Sequence, residues 1–167
     1  KHTIEEYLII YEKLKKINSS IEFSSDFIIG YPGESDTDFR HTMELIEKIR
    51  FTNSYSFIFS SRPGTVAADL ELVNKKKSKE RLEIIQKRLF EKQIKKNKSL
   101  EGKIVNVLVE NKMKDGIKLF GRTEFMTSVI FDGNVDCIGK VVQVEIISSN
   151  QNSLFGLLKE NYKQKVA

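Results

Sequence analysis

Ser24-Ser25-Asp26-Phe27-Ile28-Ile29-Gly30-Tyr31-Pro32-Gly33-Glu34 is an apolar run that carries polar groups at both ends and stops on a Pro-Gly turn. A strand buried in a parallel sheet reads as a near-continuous hydrophobic segment, so Ser24, Ser25 and Asp26 within it need partners or a cavity to face. That is the pattern of a strand lining a ligand site. Ser35-Asp36-Thr37-Asp38 follows with the form of a capping box, Ser35 as N-cap and an acidic residue three positions on. Strand, Pro-Gly loop and helix N-terminus make a βα unit whose loop lies at the carboxyl end of the strand, where α/β folds hold their ligands. Gly30 and Gly33 suit equally a tight turn of positive φ with no ligand at all.

Upstream, Thr3-Ile4-Glu5-Glu6 is a second capping box, and Tyr7, Ile10, Tyr11, Leu14 and Ile17 recur at helical spacing. The spacing predicts an amphipathic helix ending at Asn18-Ser19-Ser20, then a strand over 21–29. From Ser35 to about Arg50, Phe39, Met43, Ile46 and Ile49 form one apolar stripe. Ser54-Tyr55-Ser56-Phe57-Ile58-Phe59-Ser60 alternates small polar with aromatic residues, a β pattern with two distinct faces, and runs into Ser61-Arg62-Pro63-Gly64-Thr65. Helix, strand, helix, strand with short links implies βα units of a parallel sheet or barrel. Two strands do not make an independent sheet of this kind, so the first half reads as the tail of a larger α/β barrel. With Lys1 as its first residue, the chain is expected to be a piece of something longer.

Asn74 to about Lys98 reads as a long helix with Leu82, Ile85, Leu89, Phe90 and Ile94 facing inward. Its lysines and arginines, from Lys75 to Lys103, face only Glu80, Glu83, Glu91 and Glu101 along the same stretch. Such a face is either simply solvated or an approach surface for nucleic acid. After Leu100 the pattern changes. Lys103–Val109, Ile117–Arg122, Thr127–Phe131, Lys140–Ile147 and Ser153–Leu158 are short Val/Ile/Phe-rich segments separated by Asp115-Gly116, Asp132-Gly133-Asn134 and Ser148-Ser149-Asn150. This spacing predicts a small closed β-barrel of the oligonucleotide-binding kind. The expected division is 1–98, 99–160 and a tail at 161–167.

The 167 residues are 40% hydrophobic and 31% charged, the composition of a soluble globular chain. No apolar run approaches the roughly 20 residues of a membrane span, and no signal-peptide pattern is present, so a cytoplasmic location with no membrane partner is expected. The net charge of +5 favours a polyanionic partner. Cys137 stands alone, and His2 and His41 are isolated, so no metal or iron-sulfur site built from local thiolates is expected. Cys137 itself reads as a packed thiol.

Four pieces in order, Asp26–Glu34, Phe57–Ala68, Lys79-Glu80-Arg81-Leu82 and Gly121-Arg122-Thr123-Glu124, resemble the C-terminal part of the radical S-adenosylmethionine (SAM) methylthiotransferases, closest to the MiaB-type branch that modifies tRNA. The terminal barrel resembles that family's TRAM domain. Ser61-Arg62-Pro63-Gly64-Thr65 favours this branch over the RimO-type enzymes that modify a ribosomal protein. The fold implied is α/β, the closing part of a TIM-like radical-SAM barrel, followed by the small all-β barrel. The activity implied is methylthiolation at C2 of N6-isopentenyladenosine beside the anticodon, served by SAM and two 4Fe-4S clusters. The implied partners are a tRNA anticodon arm and the missing N-terminal domains of the same chain. Neither cluster's cysteine set occurs here, so the fragment alone is expected to bind no cluster and to be inactive. A stand-alone tRNA-binding module is the other reading.

On the cofactor side the candidates are Asp26, Ile28, Gly30, Gly33 and Arg62. Ile28 and Ile29 offer an apolar wall to an adenine ring, and amides around Gly30 and Gly33 could approach a ligand. Asp26 either accepts hydrogen bonds from SAM or fixes its own loop. Arg62 either pairs with a carboxylate or phosphate or pins the Pro63-Gly64 turn. For RNA, Lys112, Lys114, Lys118, Arg122 and Lys140 supply cations, and Phe120, Phe125 and Phe155 are either stacking platforms or core. Gly121 beside Arg122 would let a base or backbone come close.

Overall fold

A computed structural model of the chain describes residues 3–159 except 115; the expected tail at 161–167 lies outside them. Helix α1, Ile4–Ile17, begins where Thr3 accepts from the Glu6 amide and the Glu6 carboxylate accepts from the Thr3 amide. Strand β1, Asp26–Ile29, and strand β2, Tyr55–Ile58, pair in parallel with Asp26 opposite Tyr55 and Ile29 opposite Ile58. Helix α2, Asp36–Lys48, connects them and starts at the Ser35 capping box.

β1 is shorter than the expected 21–29, because the chain before it forms no continuous ladder with its neighbour, with one isolated bridge from Phe23 to Phe51. The polar lead-in has found partners: the Ser25 amide donates to Ser54 Oγ at 3.1 Å, and the Tyr55 amide donates to the Ser25 carbonyl at 3.1 Å.

One face of the pair carries Phe27 and Ile29 into a core with Ile46, Ile49, Phe51, Ile85 and Leu89. Edge-on packing of Phe27 against Phe51, centroids 5.3 Å apart, fixes its centre. The other face is open. Ile28 is 59% exposed, Tyr55 64% and Phe57 54%. β1 is therefore half-buried, not doubly buried, and Ile29 lies on the helix side instead of sharing a wall with Ile28.

Helix α3, Lys75–Lys98, is capped by the Asn74 side chain, which accepts from the amides of Lys76 and Lys77. Ile85 and Leu89 enter the core as expected, but Phe90 and Ile94 are 41% and 45% exposed. The basic face is also less bare than its own sequence suggests. Lys77 pairs with Asp36, Arg88 and Lys92 with Glu47, and Lys96 with Glu22, all from earlier segments. Arg88, with Lys92 adding to it against a smaller opposing effect of burial, holds the Glu47 carboxyl at about 2.

Strands β3 (Ile104–Lys112), β4 (Lys118–Thr123), β5 (Ser128–Asp132), β6 (Val141–Ser149) and β7 (Ser153–Leu158) close in the order β3-β4-β5-β7-β6. All neighbours are antiparallel except β5 with β7. Val107, Leu119, Val129, Phe131, Val144, Ile146 and Leu154 fill the interior, with Cys137 packed beside them. Alternate positions point outward, and closure removes every long exposed edge.

The two halves meet at defined bonds. Asn97, fully buried, donates through Nδ2 to the Asn150 and Gln151 carbonyls at 2.8 and 3.0 Å. Asn53 Nδ2 donates to the Phe125 carbonyl at 3.0 Å.

Candidate functional site

At the carboxyl end of β1 the chain turns through Tyr31-Pro32-Gly33-Glu34, closed by the Glu34 amide on the Tyr31 carbonyl at 2.9 Å. Pro32 sets the first corner, and Gly33 takes the second at φ 84°, the left-handed value a type II turn requires. The Gly33 position is open, since a Cβ there would touch nothing. Gly30 is different. Its amide donates to the Glu34 carboxylate, and a Cβ on it would lie 2.9 Å from that of Ser78 on α3. Its amide is thus engaged within the loop and its missing side chain makes room for a helix, so the expected approach of a ligand at Gly30 does not hold.

Arg81 completes this arrangement. Its side chain is 4% exposed; Nη1 donates to Glu34 Oε1 at 2.9 Å and to the Glu34 carbonyl at 3.1 Å, and Nη2 donates to Asp36 Oδ1 at 2.7 Å. Its guanidinium lies 5.3 Å from the Phe39 ring centroid. Lys77 and then Arg81 hold the Asp36 carboxyl below the usual carboxylate range. The sequence offered no role for Arg81, because its partners lie 45 and 47 positions away.

The loops after β1 and β2 meet where the Phe59 amide donates to the Ile29 carbonyl at 2.8 Å and the rings of Tyr31 and Phe59 pack edge-on, centroids 5.1 Å apart. Asp26 and Ile28 stand on the open face leading to them. The Arg62 carbonyl accepts from the Thr65 hydroxyl at 2.8 Å, so the backbone pins the Pro63-Gly64 turn. The Arg62 side chain is left exposed, with no ion pair or hydrogen bond among the described residues. No group of three or more His, Cys, Asp or Glu suited to a metal ion occurs among the described residues.

On the barrel, Lys118, Phe120 and Arg122 alternate with the inward Leu119, Gly121 and Thr123. Register across the sheet sets Phe120 beside Ile130 and Ile130 beside Phe155, a row of three outward apolar side chains on β4, β5 and β7. Arg122 lies 5.8 Å from the Phe120 ring centroid, with Glu110 at 3.7 Å from its Nε. Lys112 and Lys118 flank the β3–β4 hairpin, and Lys140 lies beside Val109, its carbonyl accepting from that amide at 2.9 Å. Lys112 and Lys118 thus sit at the hairpin end of the barrel, Lys140 lies level with Val109 further back along β3, and Arg122 stands about 13 Å along β4 from Lys118 at roughly 3.3 Å per residue. Lys114 sits in the hairpin turn.

Two expectations need correction here. Gly121 faces the interior, where a Cβ would meet the Leu108 carbonyl and lie 2.6 Å from Val107 Cγ1, so it serves strand packing instead of a base. Phe125 belongs to the junction, where its ring lies 5.5 Å from Lys96 Nζ, and takes no part in the outward row.

Comparison with known proteins adds to this geometry. Residues 98–159 match the TRAM domain family. The tRNA-2-methylthio-N(6)-dimethylallyladenosine synthase of Pelagibacter ubique (strain HTCC1062) is 78% identical over all 167 residues, which cover 37% of that protein. The enzyme of the same name from Yersinia pestis (strain Pestoides F) is 45% identical over 159 residues, 94% of this chain and 34% of that protein. The chain thus spans little more than a third of the curated relatives it matches. With its whole length aligned at this identity and residues 98–159 matching the TRAM domain, the chain is homologous to part of the MiaB-type tRNA methylthiotransferases.

Proposed function

We propose that the chain is the C-terminal portion of a tRNA-2-methylthio-N6-dimethylallyladenosine synthase, in which 1–98 close a radical-SAM barrel and 99–160 hold the tRNA anticodon arm. The observation that carries the RNA part is the in-register row of Phe120, Ile130 and Phe155, with Arg122 and Lys118 on the same face of β4 and Lys112 and Lys140 on the same barrel. Flat side chains for bases and cations for phosphates are what single-stranded RNA needs.

The open face of β1 and β2 supports the barrel part. Ile28, Tyr55 and Phe57 are exposed on a two-stranded sheet whose other face carries Phe27 and Ile29 into the core, the arrangement of strands with further barrel around them. A stand-alone module would not leave that face bare.

For SAM the residues fit in part: Asp26 and Ile28 are accessible on the open face of β1, Asp26 at its amino end, and Arg62 is accessible in the loop at the carboxyl end, whereas Gly30 is engaged by Glu34. Bound there, SAM would supply the radical precursor and the methyl group. Ile28 would pack on its adenine, Asp26 would accept from its hydroxyl or ammonium groups, and Arg62 would pair with its carboxylate or with an RNA phosphate. The 4Fe-4S clusters do not fit these residues, since Cys137 is the chain's one cysteine and packs against the barrel core. Their ligands belong to the remainder of the protein.

An anticodon stem-loop titrated into the chain by fluorescence anisotropy tests the RNA reading. Affinity is expected to fall steeply between about 50 and 200 mM salt, and Phe120→Ala with Phe155→Ala to weaken it about fivefold or more. Equal affinity at both salt concentrations, or an unaffected double variant, would overturn it.

A further inference from the structure

At the amino ends of β1 and β2, opposite the loops assigned to SAM, a cleft of about 680 Å³ separates the first half from the barrel. Ser24, Asn53 and Ser54 line it from one side, Arg122, Met126 and Ser128 from the other, with Phe90 and Gln93 of α3 between them. Its volume lies within the roughly 300–1,000 Å³ of small-ligand sites.

The walls are built, not incidental. Asn53 at φ 49° and Met126 at φ 62° are the two non-glycine residues with positive φ among the described residues, and both line this cleft. Asn tolerates that region through its short polar side chain, but Met does so at a cost, and such strain concentrates at functional sites. The Asn53 amide donates to Gln93 Oε1 at 2.9 Å while its side chain holds the Phe125 carbonyl, so the strained segments brace one another across the cleft.

The lining has a specific chemistry. Arg122, whose Nε lies 3.7 Å from Glu110 Oε1 outside the lining, is the single charged residue in it, and no carboxylate lines it. Around that cation stand amides and hydroxyls, with the exposed apolar surfaces of Tyr55, Phe90 and Met126. A metal ion or cationic ligand has no counter-charge here, and a polyphosphate would require more than one cation. One phosphate, sharing Arg122 with Glu110 and attached to one neutral, planar, hydrogen-bonding ring, fits this lining. Arg122 also borders Phe120, and Ser128 opposite it in register lines the cleft, so the cleft continues the outward row.

We propose that this cleft receives one unpaired nucleotide of the RNA held by the barrel, its phosphate on Arg122 and its base against Phe90 and Met126. The proposal rests on the RNA reading above. The nucleotide here leaves the stack on the side of the sheet away from the SAM loops, so it is not the one being modified.

The test is photocrosslinking of the chain to an anticodon stem-loop carrying 4-thiouridine at each loop position in turn, read by mass spectrometry, together with anisotropy on Phe90→Ala/Met126→Gly. Glycine favours the φ of Met126 and Phe90 is 41% exposed, so the fold is retained, as circular dichroism will verify. One loop position is expected to crosslink within 122–128 or 53–55, and the double variant to weaken binding about fivefold or more while abolishing that crosslink. Wild-type binding with crosslinks confined to Phe120, Ile130 and Phe155, or unchanged affinity in the double variant, would overturn the cleft assignment alone. No binding by the wild-type chain would overturn the RNA reading and the cleft with it.

Discussion

Replacing Arg81 by Met tests whether the loop after β1 is held by charge. Arg81 and Glu34 form a buried pair, their side chains 4% and 12% exposed, whereas Asp36 is 78% exposed. Removing the guanidinium leaves the Glu34 carboxylate with the Gly30 amide, and breaking a buried pair this way costs about 3–5 kcal/mol. The bond to the exposed Asp36 adds little. The chain has no Trp, but its three α-helices all lie outside the barrel, so circular dichroism at 222 nm during urea unfolding reports chiefly on the α/β half. At a slope of about 1.5 kcal/mol per molar, the midpoint is expected to drop by about 2 M or more. Arg81→Met/Glu34→Gln, which leaves no unpaired charge, is expected to recover at least about 1 kcal/mol of the loss. A midpoint shift worth less than about 1 kcal/mol, or losses that simply add in the double variant, would refute the reasoning.

Glu47→Gln should show its effect through pH. The Glu47 carboxyl is held at about 2 against an ordinary 4.5, so its bond to Arg88 stabilises fully above the higher value and is lost as pH falls towards the lower. The melting-temperature gap between wild type and variant is therefore expected to be constant above about pH 5 and to close between about pH 4.5 and 2. Gly121→Ala should loosen the β3–β4 pairing by about 1–3 kcal/mol through collision with Val107 and Leu108, seen as faster amide exchange in those strands while α1 and α2 keep theirs.

The barrel was legible because its strands alternate and its turns carry Gly, Asn and Asp at the breaks, so side-chain direction follows from period two. The same alternation, carried through β4, makes Gly121 inward and Phe120 outward; composition alone says neither. β1 misled for the opposite reason: Phe27-Ile28-Ile29 is equally apolar whether one face is buried or two, and only the packing of α2 and α3 distinguishes them. The Glu34–Arg81 pair and the counter-charges on Lys77, Arg88 and Lys96 join residues about 41 to 74 positions apart, a relation no local pattern carries. The cleft was hidden likewise, since its lining comes from five separate stretches and one of its strained residues is a methionine.

Helix α3 is anchored at Arg81 to the loop after β1 and at Asn97 to the barrel, 16 residues further on. At about 1.5 Å and 100° per residue, that interval is a ruler of about 24 Å whose two ends keep a set heading. Inserting one residue would swing the barrel by about 100° and misdirect whatever it carries, whereas inserting seven would restore the heading while lengthening the reach by about 10 Å. Angle, more than distance, is therefore what this connector dictates.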